Sequence, residues 1–312
     1  MRAIIVGKGI QGEKRNRIAG DDVVAIVDPT KQGVDYKKIE DIPLTDYDVA
    51  LLCVPDEPKL ELITYLLNSG KHVLVEKPLM VEENRLQAIA HLALSNNCVC
   101  YTAYNHRFEP NIMSLRDIVQ SGRLGNIYRI RMFYGNGTAR DVRDSLWRDK
   151  GGGVLNDLGS HLIDTLLFIL EDLPCANDWS LWSSRCFENR APDHVIMGTD
   201  AGDVLIELEM SLISWRNHFV CEVYGSKGSA IVDSLCKWGP SCLTLHERIL
   251  PSGRPPTEIK TLVMEDPTWA TEYAHFKSLV DKRERCNLSN DIFISRVLNH
   301  IGEQISSRYE TA

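Results

Sequence analysis

One stretch of the chain places acidic and basic side chains at helical spacing. Residues 151–165 read GGGVLNDLGSHLIDT and begin with a glycine turn. Asp157, His161 and Asp164 stand at positions i, i+4 and i+7, so a helix would bring them to one face. Histidine moves protons readily at neutral pH, because its ordinary pKa is near ~6.5. The stretch is therefore the first candidate for acid–base chemistry.

The other residues of this stretch predict a buried helix. Leucine and isoleucine occupy nearly every remaining face from Val154 onward, as in a helix packed inside a protein. Burying an acid and an imidazole without partners is costly, so the polar face is expected to border a cleft or a hydrogen-bonded network. A structural alternative is that Asn156 and Asp157 cap the helix while His161 is satisfied in the core.

A glycine pattern at the start of the chain predicts a second kind of site. It is GxGxxG, and it follows an apolar run at residues 2–6 directly. At a strand-to-helix turn, such glycines allow close approach of a pyrophosphate, and the helix N-terminus supplies N–H groups. The predicted cofactor contacts are Gly7, Gly9, Ile10, Gln11 and Gly12.

The next apolar run, residues 23–27, ends in an acid, Asp28. This is the spacing at which a carboxylate accepts hydrogen bonds from the adenosine ribose of a dinucleotide. A carboxylate there repels a 2′-phosphate, so the sequence favours NAD(H) as the cofactor. Lys31 lies close by and leaves NADP(H) possible.

Strand-like and helical segments alternate through the first third of the chain. Further strands are predicted over residues 49–54, 72–75 and 99–103, and helices over 59–68 and 82–95. The alternation predicts a doubly wound α/β domain with a parallel sheet, which binds ligands beyond the carboxyl ends of its strands. We place this dinucleotide-binding domain at residues 1–120.

Polar residues follow the later strands of this predicted sheet. Pro55 follows the third strand, and Glu76 and Lys77 follow the fourth. All three are expected to contact the cofactor, although Lys77 could alternatively be a solvated lysine in a turn. Three residues after the fifth strand are expected to line the substrate pocket: Tyr104, Asn105 and Arg107.

The remainder, residues 121–312, predicts an α+β domain. Residues 126–136 alternate between apolar and polar as strands do. Further strands are predicted over 179–187, 203–212, 218–224, 230–233, 243–250 and 258–263, and amphipathic helices over 269–283 and 291–306. Short links between the strands favour antiparallel order. The C-terminal helix is long enough to pack back on the first domain.

Composition limits the classes of function. The chain has 312 residues, 44% of them hydrophobic, and a formal net charge of -8. This predicts a soluble globular protein that binds neither nucleic acid nor membrane. Nine cysteines without a CxxC pair, and a start that resembles no signal peptide, favour a reducing, cytoplasmic compartment with no metal site. A small molecule is the expected partner.

Taken together, four motifs resemble one known family. They are the GxGxxG loop, GKHVLVEKPL at residues 70–79, YNHRF at 104–108, and the stretch from Gly151. They resemble the Gfo/Idh/MocA oxidoreductases, relatives of glucose-fructose oxidoreductase and inositol dehydrogenase. The resemblance implies a Rossmann domain followed by a domain with a large, mostly antiparallel open sheet. That sheet often forms an oligomer interface, so a homo-oligomer, dimer or tetramer, is expected.

The resemblance also implies roles for individual residues. Lys77 matches the lysine of the family's EKP motif, Asp157 matches its acid, and His161 matches its acid–base histidine. The sequence departs from the family in three ways: Asp56 stands where many members have asparagine, Lys59 stands where many have histidine, and the region after Asp28 is short.

The expected activity is NAD(P)-dependent interconversion of a secondary alcohol and a ketone on a sugar, inositol, nucleotide-sugar or related polyol. His161 would move the proton, Lys77 would polarise the oxygen, and Asp157 would orient His161 or bind a hydroxyl. Arg148 is a candidate contact for an anionic substrate group. Two alternatives stay open: an NAD-dependent redox-neutral glycosidase, and a non-catalytic protein that senses a dinucleotide or sugar.

Overall fold

The computed structural model describes residues 1–145, 148–251, 253–282, 284 and 288–310, with the side chains of 309 and 310 excepted. These residues form two compact units. Unit 1 consists of Met1–Asn105 and Thr268–Ser295, and unit 2 consists of His106–Pro267 and the chain from Arg296. Unit 1 thus combines an N-terminal segment and a later one. The sequence predicted a single division after residue 120 instead.

Unit 1 is built on a five-stranded parallel sheet. Its strands are β1 (Ala3–Val6), β2 (Val23–Val27), β3 (Val49–Leu52), β4 (His72–Glu76) and β5 (Cys100–Ala103), in the order β2-β1-β3-β4-β5. Helices α1 (Ile10–Ala19), α2 (Asp56–Asn68) and α3 (Glu83–Ser95) follow β1, β3 and β4. The predicted parallel, doubly wound sheet is confirmed, and its order reverses between β1 and β3.

Both faces of this sheet are covered, which explains why β1 and β3 are apolar at every position. Ile4 and Val6 of β1 belong to one buried cluster, and Ala3 and Ile5 belong to another. Successive side chains of a strand point to opposite faces, so a sheet buried on both sides has no polar alternation. Each large aliphatic side chain buried in this way contributes about 1.5–3 kcal/mol to folding.

Unit 2 contains an eight-stranded sheet. Its strands are β6 (Ile127–Gly135), β7 (Ser180–Arg185), β8 (His194–Thr199), β9 (Leu205–Ser211), β10 (His218–Gly225), β11 (Gly228–Asp233), β12 (Ser241–Glu247) and β13 (Thr257–Leu262). The order is β13-β12-β11-β10-β6-β9-β8-β7, and every pair is antiparallel except β6 with β9. The predicted large, mostly antiparallel sheet is confirmed. β8 was not predicted. Burial alternates only from His194 to Met197, and the last three of these residues are all apolar in the sequence.

The remaining helices are α4 (Pro110–Gln120), α5 (Ala139–Arg143), α6 (Ser160–Leu170), α7 (Thr268–Lys282) and α8 (Ser289–Glu310). A π-helical turn, Leu155–Gly159, leads directly into α6. The prediction of one regular α-helix from Val154 was therefore wrong over its first turn. Within the described ranges, no helix is both long and apolar enough to cross a membrane.

Candidate active site

Two of the three motif glycines are required by the protein's own packing. A Cβ on Gly7, whose φ is +97°, would lie 2.5 Å from the carbonyl oxygen of Cys53. A Cβ on Gly12 would lie 1.9 Å from the carbonyl oxygen of Gly7. Only glycine lets α1 approach β1 and β3 this closely. These residues therefore fix the turn at the carboxyl edge of the sheet, where its strand order reverses.

Gly9 meets no such restraint. A Cβ built on Gly9 has no heavy atom within 4 Å, and its φ of -90° suits any residue. Ile10 and Gln11, which open α1, are exposed, and Ile10 is 87% exposed. The loop thus leaves free space over the N-terminus of α1, where backbone N–H groups bind phosphates. This geometry fits the pyrophosphate of a dinucleotide.

Asp28 is tied into this loop by its carboxylate. Oδ2 accepts the N–H of Lys8 at 2.8 Å, and Oδ1 accepts the N–H groups of Thr30 and Lys31 at 2.9 and 2.8 Å. Burial alone would raise the pKa of Asp28, but these hydrogen bonds outweigh it and lower the pKa to about 2. Oδ2 has fewer donors than Oδ1, so it is the oxygen with capacity for a ribose hydroxyl.

Glu76, a predicted cofactor contact, instead uses its side chain inside unit 1. Nε of the buried Arg15 donates a hydrogen bond to Oε1 of Glu76 at 2.7 Å. Nη2 of Arg15 donates another to Oε2 of Glu272, also at 2.7 Å. Burial disfavours the charge of Arg15, but the two carboxylates outweigh burial and raise its pKa. These two ion pairs connect α1, β4 and α7, so the Glu76 carboxylate stabilises the packing of these elements.

Lys59 holds the segment that carries Lys77. Its Nζ donates to Oδ1 of Asp56 and to the carbonyl oxygens of Glu76 and Pro78, each at 2.7 Å. Lys59 is only 3% exposed, and burial lowers its pKa although Asp56 opposes this effect. Lys77 is partly exposed between its two anchored neighbours. Lys59, a departure from the family pattern, therefore fixes the backbone on both sides of Lys77.

The other predicted residues of unit 1 differ in exposure. Pro55 is exposed at the start of α2. Tyr104 is 1% exposed and Asn105 is 6% exposed, and Nδ2 of Asn105 donates to Oγ1 of Thr268 at 2.7 Å. Tyr104 and Asn105 are thus buried, and the side chain of Asn105 is held by Thr268.

In unit 2, the glycine turn before the acid–base stretch is fixed by its surroundings. Gly153 has a φ of +51°, and a Cβ there would lie 2.3 Å from the carbonyl oxygen of Pro192. The same carbonyl accepts the N–H of Val154 at 2.9 Å. Asp149 accepts the N–H groups of Arg190 and Ala191, both at 2.9 Å, which anchors the loop further. The entry into the π-helical turn is therefore rigidly held.

The π-helical turn separates the two acids that the sequence placed on one face. Asp157 is partly exposed, and its Oδ2 lies 3.2 Å from Nη2 of Arg148. Asp164 is fully buried, and its Oδ2 accepts Nε of Arg107 at 2.8 Å. A π-helical turn has i→i+5 hydrogen bonds and therefore more residues per turn than an α-helix. It changes which residues align along the helix axis. The predicted single polar stripe is thus divided between two ion pairs.

The Arg107–Asp164 pair gives Arg107 a role that the sequence did not predict. Burial raises the pKa of Asp164, and the Arg107 guanidinium opposes that rise. A buried carboxylate whose partner is removed is strongly destabilising. Arg107, predicted to bind substrate, therefore also anchors α6 through Asp164.

His161 lies in a cluster of rings that the sequence analysis missed. It is 7% exposed, and its ring stacks on His106 with centroids 4.2 Å apart and planes 20° apart. Tyr134 stands edge-on to His161 at 5.9 Å. Alternation along β6 places Tyr134 on the same buried face as Ile130 and Met132, which is a signal that could have found it. The contact with His106 joins residues too distant in sequence for any local pattern to reveal.

Each unit thus holds its own set of predicted residues. Unit 1 brings together the glycine loop, Asp28 and the anchored segment around Lys77, and unit 2 brings together Arg148, Asp157 and His161. Among the described residues, no cluster of three or more histidine, cysteine, aspartate or glutamate side chains could hold a metal ion.

Comparisons with known proteins match both units. Residues 1–104 match the family described as "Oxidoreductase family, NAD-binding Rossmann fold", and residues 112–231 match the GFO/IDH/MocA C-terminal domain. An uncharacterized oxidoreductase of Schizosaccharomyces pombe is 31% identical over 134 residues, which cover 41% of this chain and 36% of that protein. Inositol 2-dehydrogenase of Rhizobium meliloti is 22% identical over 211 residues, 65% of this chain and 62% of that enzyme. The chain thus spans between about a third and three fifths of these relatives.

The fold also matches solved structures. An inositol dehydrogenase homolog from Azotobacter vinelandii, complexed with NADH and myo-inositol, superposes with a TM-score of 0.80. The match covers 98% of this chain and 96% of that one at 18% identity. At this identity the likeness establishes the shared fold.

Proposed function

We propose, since this chain belongs to the Gfo/Idh/MocA oxidoreductase family, that it interconverts a secondary alcohol and a ketone on a sugar, inositol, nucleotide-sugar or related polyol. Its main support is the open space at Gly9 over the N-terminus of α1, which fits a dinucleotide. The histidine and acid of unit 2 supply the proton chemistry that such a reaction needs. The dehydrogenases of inositol among its relatives agree with this substrate class.

The cofactor we propose is NAD(H). When bound, its nicotinamide supplies the hydride acceptor and donor of the reaction. The N–H groups at the start of α1 and the Gly7–Gly12 loop would hold the pyrophosphate, and Oδ2 of Asp28 would accept a ribose hydroxyl. Because Asp28 is ionised at neutral pH, it disfavours the 2′-phosphate of NADP(H). Titrating the purified chain with each reduced cofactor tests this, and tighter NADPH binding would contradict it.

The chain's own residues would manage one proton and one developing charge. The carbinol hydrogen would leave with both bonding electrons, as hydride. The hydroxyl proton would pass to His161, and the C–O single bond would become a carbonyl. General-base help of this kind contributes about 10²–10⁴-fold in rate. Lys77 would donate a hydrogen bond to the same oxygen and stabilise its alkoxide character. In the reverse direction the same groups reduce a ketone.

The remaining residues divide between substrate contact and support. We propose that the partly exposed Asp157 and Arg148 contact the substrate, since each carries a polar group that is about one third exposed. Arg107, Tyr104 and Asn105 support the site from within, because each is buried or committed to an internal partner.

An absorbance assay for reduced nicotinamide tests this function. Purified protein is mixed with NAD or NADP and a panel of sugars, inositols and nucleotide-sugars. Reduction by the wild type that is lost in Lys77→Ala, and retained in the matched surface variant Lys260→Ala, is the expected result. Bound cofactor without net reduction across the panel would contradict a free dehydrogenase and favour the redox-neutral glycosidase.

A further inference from the structure

A lysine contacts the histidine that stacks on His161. Nζ of Lys237 lies 3.2 Å from Nε2 of His106, which is 1% exposed. An ammonium group has donors only, so a charged Lys237 donates to Nε2, and a neutral His106 then carries its proton on Nδ1. Protonation of Nε2 would bring two donors and two positive charges together. A charged Lys237 therefore disfavours protonation of His106.

Aromatic rings keep Lys237 in this position. Its Nζ lies 4.4 Å from the ring centroid of Trp238 and 5.6 Å from that of Tyr134. A cation held over ring faces is attracted by their negative quadrupole. Tyr134 also packs against both histidines, with centroids 5.3 Å from His106 and 5.9 Å from His161. The lysine, the two imidazoles and the rings thus form one packed assembly in unit 2.

The other ionisable groups around His161 are largely paired with each other. Asp157 on the π-helical turn faces Arg148, and Asp164 one turn along α6 faces Arg107. Tyr134 on β6 remains protonated, since burial and the charge of Asp157 both raise its pKa. Next to Lys237, the buried carboxylate of Glu109 accepts the N–H of Cys236, and burial raises the pKa of Glu109, with the charge of Asp266 adding to that rise. Lys237 is a cation that contacts the stacked histidine pair directly.

We propose that His106 and Lys237 are positioning residues for His161: the stacked, neutral His106 ring holds the His161 ring in place, and the nearby Lys237 cation favours the neutral, proton-accepting form of His161. The inference rests on the proposed function for the role of His161 as a base. Its physical content concerns the histidine itself, so it can be tested on the protein without substrate.

The direct test is an NMR titration of the His161 ring in protein labelled with ¹³C at histidine Cε1. The His161 resonance is assigned by its disappearance in His161→Asn. In Lys237→Met, which keeps most of the side chain and removes its charge, the titration midpoint of His161 rises by about one pH unit, the order expected when one nearby positive charge is lost. Lys237→Arg, which keeps the charge, retains the wild-type midpoint.

A matched control removes the same charge elsewhere in unit 2. Lys260 on β13 is exposed and bonds to Oγ of Ser114, so Lys260→Met leaves the midpoint unchanged under the proposal. An unchanged midpoint in Lys237→Met, or an equal rise in Lys260→Met, would overturn it.

Kinetics separate this inference from the proposed function. The acid limb of the pH profile of kcat/KM moves to higher pH in Lys237→Met, and kcat lost in His106→Ala is largely restored in His106→Phe, which keeps a flat ring for stacking. If activity is present but neither effect is seen, the positioning role is wrong and the function stands. If the midpoint shifts but no substrate is turned over, the function is wrong and the electrostatic coupling stands.

Discussion

At the scale of single residues, Lys59 shows how a buried cation can serve a neighbour's chemistry. Its three hydrogen bonds end at Asp56, Glu76 and Pro78, and the last two flank Lys77. The carbonyl oxygens it satisfies would otherwise be left unpaired in a buried place. Lys59 therefore fixes the backbone on both sides of Lys77.

Lys59→Met is expected to impair activity and stability together. Two carbonyl oxygens lose their donor, which lowers the free energy of unfolding by about 1–3 kcal/mol. The segment around Lys77 relaxes, so kcat falls by about 10–100-fold. Urea denaturation and steady-state kinetics measure both. Lys71→Met is the matched control, because Lys71 also donates to two carbonyls, those of Leu44 and Tyr47, away from Lys77; an equal loss of kcat in both variants would contradict the assignment.

Asp28 predicts a pH dependence of stability. Its pKa falls from 3.8 to about 2 in the folded protein, so its carboxylate stabilises the fold above the unfolded value and loses that contribution as pH falls towards 2. The contribution at neutral pH is about 2 kcal/mol. The difference in unfolding free energy between wild type and Asp28→Asn should be constant from pH 7 to 5 and shrink below pH 4. A difference that does not change with pH would show that the carboxylate's charge is unimportant.

Several residue roles were beyond prediction for a physical reason. Arg107 and Asp164, and likewise Lys59 and Glu76, are far apart in the chain, and which acid meets which base depends on the packed fold. Arg107 and Glu76 do follow strands as predicted, and their predicted ligand contacts stay predictions. The structure shows those side chains bound to Asp164 and Arg15. A polar residue at a ligand-binding edge can thus serve as a brace.

At the scale of secondary structure elements, the glycine loop and α1 make the sharpest prediction. Gly9→Ala places a methyl group where no protein atom lies within 4 Å, whereas Gly12→Ala places one 1.9 Å from the Gly7 carbonyl oxygen. We expect Gly9→Ala to keep the wild-type Tm and to weaken NAD(H) binding by about ten-fold, the equivalent of one lost phosphate hydrogen bond. Gly12→Ala should lower Tm. Calorimetry and cofactor titration measure these effects, and unchanged cofactor binding in Gly9→Ala would exclude a phosphate site over this residue.

The elements of unit 1 could be predicted because their physics is local. Buried parallel strands are continuous apolar runs, and β1, β2 and β3 are of this kind. The π-helical turn before α6 could not be predicted, since its leucines and glycine also suit an α-helix. The strand β8 was not predicted, because its sequence HVIMGT has three consecutive apolar residues and no regular apolar–polar alternation.

At the scale of the whole molecule, we propose a homo-oligomer formed through the outer face of the eight-stranded sheet. Phe133, Val220 and Ile231 are partly exposed on that face, among the ion pairs of Arg129 with Glu207 and Arg131 with Glu209. Protein interfaces combine an apolar centre with a polar rim. Light scattering should give the mass of a dimer or tetramer, and Val220→Glu should shift it towards monomer while Val24→Glu on β2 does not. A monomer mass for the wild type would contradict this proposal.

The division of the molecule into units was the least predictable feature at this scale. The sequence correctly indicates a parallel sheet followed by an antiparallel one, because each has its own periodicity. The return of residues 268–295 to unit 1 has no such local signal. It depends on contacts such as Tyr273 with Asp22 and Glu272 with Arg15, which join residues about 250 positions apart in the chain.

The transfer of deuterium to the cofactor tests the proposed chemistry most directly. The best polyol of the substrate panel is prepared with deuterium on its carbinol carbons and incubated with the enzyme and NAD. We predict that mass spectrometry finds one deuterium in the reduced nicotinamide, and that the rate falls by about 10²–10⁴-fold in His161→Asn but not in His91→Asn, a surface control on α3. Deuterium released to water, or equal rates in the two histidine variants, would contradict hydride transfer assisted by His161.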